Sequence, residues 1–178
     1  MKFNVVTKEG SRQEEMVLKN LLVVGFAGKD IEKTMEHIHE LEEAGIKCPR
    51  KVPVLYQCEK QILTEKDEIE VIGNKTSGEV ESLILIKNGK IYIGVGSDHT
   101  DRELEAVSIH KSKQVCLKPF AKDFWEYDEI KDHFDEIKLV SSQVVDGKTV
   151  EYQCGVTSDL LPMQRIIEEL KTEVDVND

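Results

Sequence analysis

No two of the four cysteines, Cys48, Cys58, Cys116 and Cys154, form a Cys-x-x-Cys pair. That removes a structural zinc knuckle or a dithiol redox site and leaves reduced core or surface thiols. Apolar runs are short, and none approaches the roughly 18–20 residues that a membrane-crossing helix needs, so no membrane partner is expected. The opening segment MKFNVVTKEG has no apolar core of the signal-peptide kind, which predicts a cytoplasmic protein. Basic residues are the minority, with 24 Lys+Arg against 35 Asp+Glu and a net charge of −11. Without a basic stripe interleaved with aromatics, no nucleic-acid partner is expected. Internal repeats, low-complexity tracts and Pro/Gly/Ser-rich linkers are also missing. The length of 178 residues suits one domain, expected over residues 1–171. The acidic tail TEVDVND, residues 172–178, is expected to fray.

What is present is strongly patterned. Hydrophobic residues make up 39% of the chain and recur in strand and helix periods, so a core can form and wholesale disorder is excluded. FNVVT (3–7) and MVLKNLLVVG (16–25) read as strands around a polar turn at EGSR. Asp30 suits an N-cap, and Ile31, Met35, Ile38 and Leu41 then mark a helix to Ala44, closed by Gly45. PRKVP leads to a short strand VLYQC, and EIEVIG and ESLILIKNGKIYIGVG follow. After a polar stretch from Ser97 to Lys113 come a helical segment Asp128–Lys138 and the hairpin KLVSSQVV-DG-KTVEYQCGV, turning at Asp146-Gly147. A last short helix covers Met163–Lys171. Strands predominate and the helices are short and peripheral, so the expected class is a β-rich α+β fold.

The chemistry concentrates between Glu79 and Arg102. Asn88-Gly89, between LILIK and KIYIG, is the strongest short hairpin signal and calls for a two-residue type I′ turn. Lys87 then faces Lys90, Leu85 faces Tyr92, Leu83 faces Gly94, Glu81 faces Gly96 and Glu79 faces Asp98. Facing residues point to one side and alternate positions share it. Glu79, Glu81 and Asp98 therefore converge on one face, with the two glycines expected to leave open space over it. Like charges opposed across strands repel, and the remedies are a raised pKa or a bound cation. Three carboxylates without imidazole or thiolate make a hard-oxygen site suited to Mg²⁺, Mn²⁺ or Ca²⁺. A solvated acidic strand end is the alternative reading of the same residues.

These residues carry a resemblance to the fumarylacetoacetate hydrolase superfamily. Its members have a strand motif E-x-E, then N-D-x-(S/T)-x-R-(D/E)-(L/I)-Q, then K-S-F followed by a proline-containing strand. Here the matching segments are Glu79-Val80-Glu81, SDHTDRELE from Ser97 to Glu105, and Lys111-Ser112 with Pro119 downstream. VVGFAGKD…HIHELEEAG…VPVLY is similar to the family's entrance segment, and DGKTVEYQCGVTSDLL to its later N-G-x-x-x-Q-x-G-x-T-S-D-M-I hairpin. The resemblance spans about residues 23–171 in family order and extends to a group of small bacterial proteins sharing the core GSDHTDR. The chain departs from the pattern in a shorter link between Glu81 and Asp98. Cys58 stands where a basic residue usually follows P-V-L-F, and no Gly-Thr-Pro segment follows IIEELK.

The resemblance implies a barrel-like mixed sheet, a covering second copy in a homodimer, and hydrolysis or decarboxylation of a small 2-oxo or 1,3-dioxo acid. It implies Glu79, Glu81 and Asp98 as ligands of Mg²⁺ or Mn²⁺. Arg102 would bind the substrate carboxylate, and Lys111, with Lys113 as rival if the loop shifts by two, would stabilise an oxyanion. His37 and Glu40 match an H-x-x-E pair that activates water, at the i, i+3 spacing that lets helix neighbours touch; His39 with Glu43 is the runner-up. Their alternative is a solvated acidic helix, and Arg102 alternatively pairs with Asp101 or Glu103. A second function reading keeps the metal cup as a non-enzymatic binding module. His99, His110 and His133 read as structural, and Trp125, Phe134 and Ile137 as core around a short amphipathic helix.

Overall fold

The computed structural model describes residues 1–43 and 45–175. The chain opens with a hairpin of β1 (Lys2–Thr7) and β2 (Gly10–Glu15), then runs through β3 (Leu21–Gly25), α1 (Ile31–Glu43) and β4 (Val54–Cys58). Next come β5 (Leu63–Thr64), β6 (Thr76–Ser77), the long hairpin β7 (Val80–Lys87) and β8 (Lys90–Ser97), and β9 (Thr100–Asp101). Two short helices, α2 (Arg102–Glu105) and α3 (Ile109–Gln114), lead to β10 (Lys118–Pro119), β11 (Asp123–Glu126) and α4 (Tyr127–Ile130). The ribbon β12 (Lys138–Val145) and β13 (Lys148–Val156) and the helix α5 (Met163–Leu170) follow. This is a strand-rich α+β fold with short helices, as the pattern of the sequence predicts.

Local signals set several of these elements. Asp30 caps α1 through its side chain, which accepts from the Lys33 N–H at 3.1 Å. Gly45, just beyond the described end of α1 at Glu43, has a φ of 83°, the left-handed conformation that glycine adopts most readily. Ala44, where the helix was expected to end, lies outside the described residues. Asp101 and Ser108 cap α2 and α3, so much of the polar stretch that begins at Ser97 is helical, which its sequence pattern does not show. EIEVIG forms no strand, and Ile72 within it is 94% exposed. The segment expected as one helix over 128–138 breaks into α4 and a 3₁₀ turn at Phe134–Glu136. Thr172 and Val174 continue the hydrogen bonding of α5, to Glu169 and Leu170 at 3.0 Å each, and Val174 packs on that helix's apolar cluster. Of the tail expected to fray, residues 176–178 lie outside the described residues.

The central sheet has the order β2-β1-β11-β8-β7. β1 and β11 run parallel and the other neighbours antiparallel. β3–β4, β5–β10, β6–β9 and β12–β13 form separate two-stranded sheets. Among the described residues these sheets are open, and no closed barrel forms: β7 is the last strand of its sheet. The first outward N–H of β7, that of Val80, is taken by the Gln153 side chain at 2.7 Å and not by another strand.

Both faces of the β7–β8 hairpin are covered. Phe3, Val5, Leu85, Tyr92 and Phe124 form the core on one face, and Ile93, Phe134 and Met163 on the other. Phe124 comes from β11, a strand the sequence reading missed, and its neighbour Trp125 is 40% exposed rather than core. The expected space beside the hairpin glycines is also filled. A Cβ on Gly94 would lie 2.7 Å from the Phe124 ring, and one on Gly96 3.3 Å from the Pro119 carbonyl. The glycines admit a buried ring and a crossing strand. Among the described residues, no helix is long and apolar enough to cross a membrane.

Candidate functional site

Asn88 and Gly89 take φ values of 51° and 73°, the positive pair that a type I′ turn requires. The predicted register then holds along the whole hairpin, from Lys87↔Lys90 through Leu83↔Gly94 to Val80↔Ser97. One step further the Asp98 N–H donates to the Glu79 carbonyl at 2.9 Å. This alternation brings Glu79, Glu81 and Asp98 together, with carboxylate oxygens within 4.8 Å of one another.

Three cations from the following segments meet these carboxylates. The Lys113 ammonium, carried by α3, donates to Asp98 Oδ2 and lies 3.7 Å from Glu79 Oε2. Lys118, on β10, stands 2.9 Å from Asp98 Oδ1 but donates to the His99 carbonyl. The Asp98, Lys113 and Lys118 side chains are only 4%, 8% and 5% exposed. Arg102 donates to Glu79 Oε1 at 2.8 Å, to Glu105 Oε2 at 3.0 Å and to Ser77 Oγ at 2.7 Å.

Burial, followed by repulsion from Asp98 and Glu79, pushes the Glu81 carboxyl up to about 8, so it is largely neutral at pH 7. Burial alone would lower Lys113, but Asp98, Glu79 and Glu81 outweigh it and hold the ammonium above its ordinary value. Burial also opposes the charge on Arg102, and its bonds to Glu79 and Glu105 overcome this and raise it. His99, lowered by burial and by Lys118 and Arg102, contacts Thr76 Oγ1 at 3.0 Å, in keeping with a structural role.

The residues present fit a hard divalent cation. All donors are carboxylate oxygens. Asp98 Oδ1 is buried and faces the Lys118 ammonium at 2.9 Å without a well-directed hydrogen bond, which leaves a lone pair open to a further cation. Glu81 would ionise at pH 7 only at a cost, which a nearby cation would remove.

Other expected residues stand elsewhere. Lys111 is exposed, because two positions along a helix turn a side chain to the opposite side; Lys113 is the lysine that reaches the carboxylates. The Arg102 fork, expected to be free for a substrate acid, is engaged by Glu79, Glu105 and Ser77, while Asp101 serves as a cap. His37 and Glu40 do approach each other, at 3.6 Å, but they are 61% and 77% exposed on α1 and do not touch the cluster. His39 pairs with Glu42 at 3.6 Å and not with Glu43. Lys118 and Gln153 were not foreseen. The signal for Lys118 was a lone charge between Leu117 and Pro119-Phe120 in an otherwise apolar segment.

Glu81, Asp98 and Lys118 open onto a cavity of about 630 Å³ that continues between β3, β7 and α5. The fold and site thus define a strand-rich α+β protein with a buried carboxylate–lysine cluster at one end of a cavity. The chain belongs to the family described as "Protein of unknown function (DUF2848)", whose sequence model matches residues 24–178. No curated protein matches it. Solved structures that share its fold include the following two. "Crystal structures of Cg1458" aligns with a TM-score of 0.67 at 14% identity, covering 97% of this chain and 82% of the other. "Crystal structure of Cg1458 with inhibitor" aligns at 0.66 and 18% identity, covering 93% of this chain and 66% of the other.

Proposed function

We propose that the protein is a metal-dependent hydrolase of the fumarylacetoacetate hydrolase type, acting on a small 2-oxo or 1,3-dioxo acid by C–C bond hydrolysis or decarboxylation. The observation that carries this reading is the convergence of Glu79, Glu81 and Asp98 within 4.8 Å at the end of a cavity. Glu79, Glu81 and Asp98 would hold Mg²⁺ or Mn²⁺, with Ca²⁺ as a further candidate, and the ion when bound supplies Lewis-acid polarisation of the acid's oxygens. Lys113 offers an ammonium that the carboxylates keep charged, able to hydrogen-bond an oxyanion. Arg102 fixes the direction of Glu79. His37, backed by Glu40, takes the proton from water, a role that requires α1 to close over the cavity. The reading includes a homodimer, because the two-stranded ribbon β12–β13 leaves Val140 and Val144 50% and 71% exposed and such ribbons are marginal alone. Light scattering showing a monomer at high concentration would remove the dimer.

The test is turnover of 2-oxo and 1,3-dioxo acids with and without Mn²⁺. Wild type is expected to turn over only with metal. His37→Ala should lose roughly 10²–10⁴-fold in kcat with metal affinity intact, and Lys113→Met should lose kcat as well. A second reading, a non-enzymatic metal-binding module, has its own support: the Arg102 fork and the Lys113 ammonium are engaged by Glu79, Glu105 and Asp98 rather than free for a substrate. Metal binding without turnover of any such acid decides for the module.

A further inference from the structure

The cavity is larger and more apolar than a small oxo acid needs. A four- or five-carbon acid fills on the order of 100 Å³, whereas ligand cavities of about 300–1,000 Å³ usually enclose molecules several times that size. This one holds about 630 Å³. Glu81, Asp98 and Lys118 stand at one end, and Lys19, Asn20 and Gln153 are among the polar residues elsewhere along its wall. Leu83 lies two residues beyond Glu81 on β7 and therefore on the same face. Met16, Leu18, Leu63 and Phe120 line the space beyond it. Met16, Leu18, Leu83 and Phe120 are partly buried side chains packed against the Phe3–Phe124 core, so that wall is backed by fully packed residues.

We propose that the ligand is an amphiphilic oxo acid, with its acid head at Glu81, Asp98 and Lys118 and an unbranched apolar tail of several carbons along Leu83 toward Met16 and Leu18. This deepens the proposed function and rests on it for the oxo-acid head. The tail rests on the cavity alone. The strand rises roughly 3.3 Å per residue, so the step from Glu81 to Leu83 and its neighbours accommodates about four to six methylenes. Short dicarboxylates are disfavoured, since their second charge would lie against Leu83 and Phe120.

Binding is measured calorimetrically with and without Mn²⁺ for 2-oxobutanoate, 2-oxohexanoate and 2-oxooctanoate, with octanoate as a tail lacking the oxo group. Each buried methylene contributes roughly three- to four-fold in affinity, so Kd is expected to fall on the order of a hundredfold from four to eight carbons. Leu18→Trp, which narrows the apolar end, should weaken 2-oxooctanoate and leave 2-oxobutanoate unchanged. Equal affinity along the series, or no binding by any member, overturns the proposal. Metal-dependent binding of 2-oxobutanoate with no gain from chain length would leave the metal-enzyme reading standing and remove the tail. Chain-length-dependent binding of oxo acids and octanoate alike, unaffected by metal, would establish the tail site and remove the metal-dependent reading of the head.

Discussion

Asp98→Asn is expected to lower the melting temperature by on the order of 10 °C. Asp98 is the shared counter-ion of Lys113 and Lys118, whose side chains are 8% and 5% exposed. An amide of the same shape keeps the packing but leaves two ammonium groups out of water, with Glu79 3.7 Å from one of them as the nearest remaining charge. Removing one partner of a buried ion pair costs about 3–5 kcal/mol, because the other charge stays buried and uncompensated. For a chain of this length each kcal/mol moves the melting temperature by roughly 2–4 °C. Adding Lys113→Met to Asp98→Asn should recover part of the loss, since it deletes one of the stranded charges. Calorimetric scans of wild type, the single variant and the double variant measure this. A single variant melting within a degree or two of wild type would show that the cluster does not hold the fold together.

Mn²⁺ or Mg²⁺ at a hundredfold excess over Kd is expected to stabilise the protein by about 2.7 kcal/mol, a rise of roughly 5–10 °C for a chain of this length. Glu81→Gln should remove that rise. Glu81 sits at about 8, so at pH 7 it carries a proton that a cation must displace. Metal binding should therefore release close to one proton, and affinity should climb as the pH approaches 8. Without metal the sign reverses. The folded protein binds this proton more tightly than the unfolded chain, so the stabilisation is full below the ordinary carboxyl range and lost as pH rises through about 8. Glu81→Gln should flatten that decline. Thermal scans across pH, with metal titrations in buffers of different ionisation enthalpy, read all three effects. Equal metal-induced shifts in wild type and Glu81→Gln would place the cation elsewhere.

The carboxylate cup was legible before any coordinates, because it depends on local rules. Asn88-Gly89 specifies a turn, the turn specifies the register, and the period of two then places Glu79, Glu81 and Asp98 on one face. The Asp30 cap, the Gly45 stop and the Asp146-Gly147 hairpin are legible for the same reason: each is decided by the conformational preferences of residues adjacent in the chain.

What lay beyond that reach was decided by approach between distant segments. Lys111 and Lys113 are equally basic and two residues apart, and the direction from which α3 meets the hairpin selects Lys113. Lys118 enters because β10 crosses beside Gly96, and Phe124 because β11 slots between β1 and β8. Those two contacts also turn the hairpin glycines from expected openings into close-packed crossings. Arg102 shows the same limit. Its sequence neighbours Asp101 and Glu103 suggested one set of partners, and the folded chain supplies Glu79, 23 residues earlier. The sequence by itself determined the strand-rich class, the long hairpin and its three carboxylates, since turn chemistry and alternation act within a few residues. The tertiary structure alone decided which cations neutralise them, how deeply Glu81 is buried and how far the cavity runs, since charge pairing and desolvation depend on distances between segments that no local pattern encodes.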